Sequence, residues 1–354
     1  MAVDLRHGGN REALAEQLGC LPGQLLDASA SLVPWTPRLP LISRQAIRDY
    51  PDRRHQRLRQ TIAGVHGLDP SQVLPGNGAA ELFTWAARDA AQLGINVLPA
   101  PGFADYGRAL HTWQARTRVA AMPLRWTAGF PQAIPDPGAG DVLWICNPHN
   151  PTGQLWSRGS LEPLLGRFAL VICDEAFLPL VAEGEQHSLI PLVPEHPNLV
   201  VIRSLTKLFG IAGLRLGYAI AAPERLQHWA AWRDPWPLNG PAEQVGLQLM
   251  GHGASYRRWL ARVQHWTAQE GSWMQHQLAA LPEMEPLPSA ANFLLVRSER
   301  SLRPVREHLE RSHRILLRDC CSFEGLDDHW LRISLLKRRE NRRIVSALRQ
   351  AIKP

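Results

Sequence analysis

No run of 18 apolar residues occurs in this 354-residue chain, which excludes a membrane-spanning helix. Residues 1–7 lack the apolar core of a signal peptide, so the protein is expected in the cytoplasm and away from membranes. Cysteine is scarce. The five, Cys20, Cys146, Cys173, Cys320 and Cys321, are odd in number and show neither a CxxC pair nor metal-ligand spacing. Reduced, mostly structural thiols are therefore expected, and no metal is assigned. Internal repeats and low-complexity tracts are absent as well. A formal charge of +7 raises nucleic acid as a partner, and residues 337–343 form the densest basic run. No nucleic-acid-binding motif surrounds it, so it reads as a solvated helix face. A modest positive field suits a small anionic ligand.

What the chain does have is a series of polar residues at the ends of apolar runs. Residues 141–146, 170–173 and 199–203 are short, nearly continuous apolar stretches of the kind found in parallel strands buried on both faces. Each runs into a polar segment: Asn147 opens Asn-Pro-His-Asn-Pro-Thr-Gly, Asp174 opens Asp-Glu-Ala-Phe, and Ser204 opens Ser-Leu-Thr-Lys, which ends on Lys207. Open α/β sheets bind ligands at this edge. Lys207, with Arg215 close behind it in Gly-Leu-Arg-Leu-Gly, reads as a lysine that bonds an aldehyde. Such a lysine must lose its proton to attack a carbonyl, and burial beside a cation, here Arg215, lowers its pKa. Ser204, Thr206 and Arg215 offer two hydroxyls and a guanidinium fork to a phosphate. An aldehyde carrying a phosphate points to pyridoxal 5'-phosphate. Asp174 can pair with the pyridine nitrogen and keep it protonated, which makes the ring an electron sink, and Asn147 can hold the phenolate oxygen. Singly, Asp174 could be a helix N-cap and Asn147 a turn former; their order at successive strand ends favours the cofactor. Upstream, Gly76-Asn77-Gly78-Ala79 opens a helix, and the free N–H groups of such a turn make an anion site. Phe103 could stack on the ring or pack in the core.

These segments, together with His7-Gly8-Gly9-Asn10, Tyr50-Pro51-Asp52, residues 101–110 and Leu331-Arg332-Ile333, resemble the fold-type I pyridoxal phosphate enzymes of the class I/II aminotransferase superfamily over nearly the full length. Within it the chain is most similar to the threonine-phosphate decarboxylases of cobalamin biosynthesis, with histidinol-phosphate aminotransferases as next relatives. The resemblance implies that Lys207 bonds the cofactor, Asp174 holds the pyridinium, Asn147 the phenolate oxygen, and Phe103 stacks on the ring. Gly78, Ala79, Ser204, Thr206 and Arg215 would hold the phosphate. It also implies a homodimer, in which Tyr50 reaches the partner's cofactor phosphate, and a small amino-acid substrate expected to be phosphorylated. Arg332 would hold the substrate carboxylate, while Arg318, His7 and Asn10 would place its phosphate. Arg318 could instead form a surface ion pair.

Phe177 stands where transaminating relatives usually carry tyrosine, which favours decarboxylation of L-threonine O-3-phosphate to (R)-1-aminopropan-2-yl phosphate. Two departures run the other way: Ser31 and Val33 replace amides of the decarboxylase pattern, and Leu336 replaces an arginine. Three readings stay open: this decarboxylase, an aminotransferase acting on histidinol phosphate or a similar amino acid, and a non-catalytic cofactor-binding protein.

The expected fold class is α/β, fold-type I, with a mostly parallel central sheet in a large cofactor-binding domain and a smaller α+β domain at the carboxyl end. The expected boundaries are residues 1–40 for an amino-terminal arm serving the small domain and active site, 41–233 for the large domain and 234–354 for the small one. The prolines at 235, 237 and 241 mark the hinge. Trp259, Trp266 and Trp273, seven apart in a long predicted helix over residues 253–281, are expected to form a packing stripe.

Overall fold

The computed structural model describes residues 8–127 and 129–352. Among them are the strands β1 (Leu26–Ala28), β2 (Val73–Asn77), β3 (Asn96–Ala100), β4 (Thr117–Ala121), β5 (Val142–Cys146), β6 (Leu170–Asp174), β7 (Leu199–Ser204), β8 (Leu216–Ile220), β9 (Glu285–Pro286), β10 (Phe293–Arg297), β11 (Ile315–Asp319) and β12 (Trp330–Ser334). They make a seven-stranded sheet in the order β2-β8-β7-β6-β5-β3-β4 and a five-stranded sheet in the order β1-β11-β12-β10-β9. In the larger sheet only β8 runs against its neighbours, so the sheet is mostly parallel, as the fold class requires.

The apolar runs become β5, β6 and β7 because helices cover both faces of the sheet. Val142, Trp144 and Cys146 join a core with Leu82 and Phe83 of helix Gly78–Leu93, while Leu143 and Ile145 point into the opposite core beside Val171 and Cys173. Strands buried this way show no polar alternation. Their parallel direction brings the residues that follow β5, β6 and β7 out at one edge. In the register Cys146 stands opposite Asp174 and Asp174 opposite Ile202.

The smaller sheet closes over that edge. Its strand β1 comes from the amino-terminal segment and pairs in parallel with β11, with Leu26 opposite Ile315. This carries residues 29–31 toward the larger sheet. On β11 and β12 Arg318 stands directly opposite Arg332. Past the proline cluster, helix Gly240–Gly251 packs on helix Gln56–His66 and on β8. Helix Gly253–Ala279 then carries the three tryptophans, and each ties it to a different element. Trp259 donates to the Leu208 carbonyl (2.9 Å), Trp266 donates to the Leu336 carbonyl (3.1 Å), and Trp273 lies under the Arg338 guanidinium. Trp35 packs edge-on against Trp266. The stripe therefore fastens the helix to the short helix that carries Lys207, to the segment after β12 and to the last helix.

The cysteines are all free, with Cys146, Cys173 and Cys320 buried. Among the described residues no helix is long and apolar enough to cross a membrane.

Candidate active site

A cavity of about 340 Å³ opens between the carboxyl edge of the larger sheet and the smaller one, and its walls bring together Asp174, Lys207, Phe103, Ala79, Ser204, Thr206, Arg215, Arg318 and Arg332. The volume lies in the range of small-molecule sites. Lys207 sits in helix Leu205–Phe209, immediately after β7. It is half-buried, and it lines the cavity. Burial, then the Arg332 charge, lower its pKa to about 8, and the Asp174 charge opposes them. Arg215, expected from its position to be the controlling cation, contributes less than Arg332, which reaches the site from the other sheet. The Lys207 ammonium lies 5.6 Å from the centre of the Phe177 ring.

Asp174 closes β6 and is buried. Burial raises its pKa to about 6, against the opposing effect of the Tyr106 hydroxyl, which donates to Oδ2 at 2.6 Å, and of the Ala176 N–H, which donates to Oδ1 at 2.9 Å. Phe103 forms the wall above, packed edge-on to Tyr106 and Phe83.

The residues expected to hold a phosphate pack closely around one small space. Gly78 takes φ +73°, and a Cβ there would come 2.5 Å from the Arg215 guanidinium. A Cβ on Gly217 would meet the Ala79 nitrogen at 2.9 Å. Only glycine lets β8 and the start of helix Gly78–Leu93 close up around Arg215. Arg215 itself is held at φ +56°, a strained conformation for a side chain of its size and a common one at ligand sites. The Thr206 hydroxyl is buried without a partner. An unpaired buried hydroxyl, a guanidinium and helix N–H groups around one small space fit a phosphate.

Asn147 needs correction. Both ends of its amide are taken by Trp156, whose N–H donates to Oδ1 (2.9 Å) and whose carbonyl accepts from Nδ2 (3.1 Å). The side chain is thereby turned away from the cavity: Asn147 is fully buried and does not line it. Asn150, three residues on, lines the cavity instead, and its Oδ1 accepts from Arg332 at 2.5 Å. Arg332 also donates to the Ser29 carbonyl (2.9 Å), and burial draws its pKa down to about 10, so it stays charged at neutral pH. Arg318 is buried in the cavity wall and does not lie at the surface; it donates to the Asp319 carbonyl and the Ser322 hydroxyl, both at 2.6 Å.

Other expected residues lie elsewhere. Asn10 lines a neighbouring cavity of about 270 Å³ that shares Ser29 and Arg318 with the first. Tyr50 is 77% exposed and stacks on Trp236 at 4.2 Å, away from its own chain's cavity. His7 lies outside the described residues. Of the departures, Ser31 lines the cavity and bonds Ser334 (2.9 Å), whereas Val33 and Leu336 are buried in the apolar core. Tyr106, Asn150 and Ser29 were given no role by sequence reasoning. For Tyr106 a signal existed, a hydroxyl three residues after Phe103 and so nearly one helical turn away.

The family described as aminotransferase class I and II matches residues 23–348. A threonine-phosphate decarboxylase of Salmonella typhimurium is 33% identical over 98% of this chain and 96% of its own. A histidinol-phosphate aminotransferase of Symbiobacterium thermophilum is also 33% identical, over 86% of this chain and 83% of its own. Among solved structures, L-threonine-O-3-phosphate decarboxylase from Porphyromonas gingivalis superposes with a TM-score of 0.75 at 24% identity, covering 90% of this chain and 99% of that one. Histidinol-phosphate aminotransferase from Sinorhizobium meliloti, solved with pyridoxal-5'-phosphate, gives 0.78 at 20%, covering 97% and 94%. With this match, and with Lys207, the buried Asp174 carboxylate and Arg215 lining one cavity, the chain belongs to the class I and II aminotransferase family and is a pyridoxal phosphate-dependent enzyme.

Proposed function

We propose that this enzyme decarboxylates L-threonine O-3-phosphate to (R)-1-aminopropan-2-yl phosphate, a step of cobalamin biosynthesis. The observation that carries the reading is the pair of buried arginines, Arg318 and Arg332, which stand opposite each other on β11 and β12 and both line the cavity that holds Lys207. Two guanidinium groups side by side in one cavity wall suit a ligand that brings two anionic groups. L-threonine O-3-phosphate brings a carboxylate and a phosphate in one molecule, whereas histidinol phosphate has no carboxylate and a transaminase would meet one only in its second substrate. Arg332 takes the carboxylate, because Asn150 and the Ser29 carbonyl already fix its plane. Arg318 takes the phosphate, at the side where the amino-terminal segment crosses.

When bound, pyridoxal phosphate supplies the electron sink for the bond broken at the substrate α-carbon. Lys207 would bond it, Asp174 would hold the proton on its ring nitrogen, and Asn150, in place of Asn147, would donate to the phenolate oxygen. Ala79, Ser204, Thr206, Arg215 and Gly78 hold its phosphate. Phe177 packs edge-on against Phe293 and offers no hydroxyl beside Lys207. Val33 and Leu336, being in the core, remove no charge from the cavity wall.

The equal identity of a histidinol-phosphate aminotransferase supports a second reading, transamination. Holoenzyme given L-threonine O-3-phosphate alone should release carbon dioxide with no keto-acid acceptor. Background carbon dioxide, with glutamate formed from histidinol phosphate and 2-oxoglutarate, would sink the proposal in favour of the second reading.

The active form is proposed to be a homodimer in which Tyr50 completes the partner's phosphate site. Its support is the exposure of three large apolar side chains close together in sequence, Leu41, Ile47 and Tyr50, whose burial against a second copy would be favourable. Mixing Lys207→Ala with Tyr50→Phe under subunit exchange should restore activity, since one site of the mixed dimer escapes both changes. An impaired Tyr50→Phe parent with no recovery on mixing would argue for sites built from one chain.

A further inference from the structure

We infer that Tyr106 is a positioning residue for the cofactor-ring carboxylate: its hydroxyl holds Asp174 in line and ionised beneath the pyridine nitrogen. The inference rests on the role proposed for Asp174. Tyr106 is in helix Ala104–Thr112, behind the cavity wall, and its ring is clamped by Phe83 at 5.1 Å, Trp144 at 5.3 Å and Phe103 at 5.5 Å. The hydroxyl therefore has one place to go. It donates to Asp174 Oδ2 at 2.6 Å while the Ala176 N–H donates to Oδ1, so each oxygen has a fixed donor and the carboxylate cannot turn.

The groups around Asp174 explain why this bond matters. Burial, the largest influence, favours the neutral acid; Tyr106, Ala176 N–H and Lys207 favour the carboxylate, and Glu175 disfavours it. Glu175 is itself paired with Arg203 at 2.7 Å. Cys146 and Cys173 stay neutral, since burial drives both thiols up. Burial also lifts the Tyr106 hydroxyl well above its ordinary value, so it can only donate to the carboxylate. Without that donation burial carries Asp174 further up, and it takes a proton at higher pH. A neutral Asp174 no longer holds the ring-nitrogen proton. The acid limb of the kcat profile therefore moves to higher pH.

The test measures binding as well as rate. Apoenzyme is titrated with pyridoxal 5'-phosphate and with its 1-deaza analogue, which has C–H in place of the ring nitrogen and so gains nothing from an ionised Asp174. Wild type should prefer the natural cofactor, and Tyr106→Phe should lose about tenfold of that preference, the worth of one hydrogen bond to a charged group. Its acid limb should rise as well. Trp144→Phe, which loosens the same ring without touching Asp174, should weaken both cofactors alike. If Tyr106→Phe also weakens both equally and its acid limb stays in place, the hydroxyl only packs and the inference is overturned. No preference in the wild type would instead strike at the Asp174 role, and the inference would fall with it.

Discussion

Lys207→Ala is expected to yield a folded, colourless protein with no measurable turnover, where the wild type is yellow. The physical reason lies in the proton. At a pKa of about 8 roughly one Lys207 in ten is neutral at pH 7, against on the order of one in 3,000 for a lysine at its ordinary value. Only the neutral amine attacks an aldehyde. The apoenzyme should accordingly capture pyridoxal phosphate faster as pH rises from 7 through 8, because protonated amine is being converted to the reactive form, and level off above that. The chain makes the assignment unusually clean, since it contains only three lysines, Lys207, Lys337 and Lys353. Lys337 is exposed at the start of the last helix. Borohydride reduction of the holoenzyme followed by peptide mapping should label Lys207. A label on either of the others would overturn the site.

Asp174→Asn is expected to keep most of the affinity for the cofactor while lowering kcat by at least about a hundredfold, ~2.7 kcal/mol of barrier. The phosphate cradle and Lys207 are untouched by this change, so binding survives. The amide oxygen can still accept from the Ala176 N–H, and the Tyr106 hydroxyl can turn to accept from the new Nδ2, so the side chain stays held at both ends. What is lost is the negative charge that keeps the ring nitrogen protonated. A fall of less than tenfold in kcat would show that the ring works without it.

How much of this was written in the sequence follows from how local each feature is. β5, β6 and β7 were legible because burial on both faces leaves an unbroken apolar run, and the polar residues that follow them could be assigned to one edge. β1 was not, because Leu26-Asp27-Ala28 becomes a strand only through pairing with Ile315 to Leu317, far along the chain. The same distance hid the strongest cation near Lys207, since Arg332 approaches from the smaller sheet while Arg215 is the neighbour in sequence. Asn147 and Asn150 each precede a proline in one seven-residue run, and nothing in the run tells which amide turns inward. The choice is made by the Trp156 backbone, which binds Asn147 on both sides. The departures at Val33 and Leu336 looked like lost substrate contacts because sequence does not separate a cavity wall from the core behind it.

The central claim is that the bond broken at the α-carbon is the one to the carboxylate, and one isotope experiment reads this directly. Holoenzyme is incubated in D₂O with L-threonine O-3-phosphate labelled with ¹³C at the carboxyl carbon, without a keto acid, and followed by NMR. The account predicts label in bicarbonate and an aminopropanyl phosphate whose former α-carbon keeps its original proton and gains a single deuteron. Retention of the label in the amino acid or a 2-oxo acid, with the α-proton exchanged for deuterium, would contradict it.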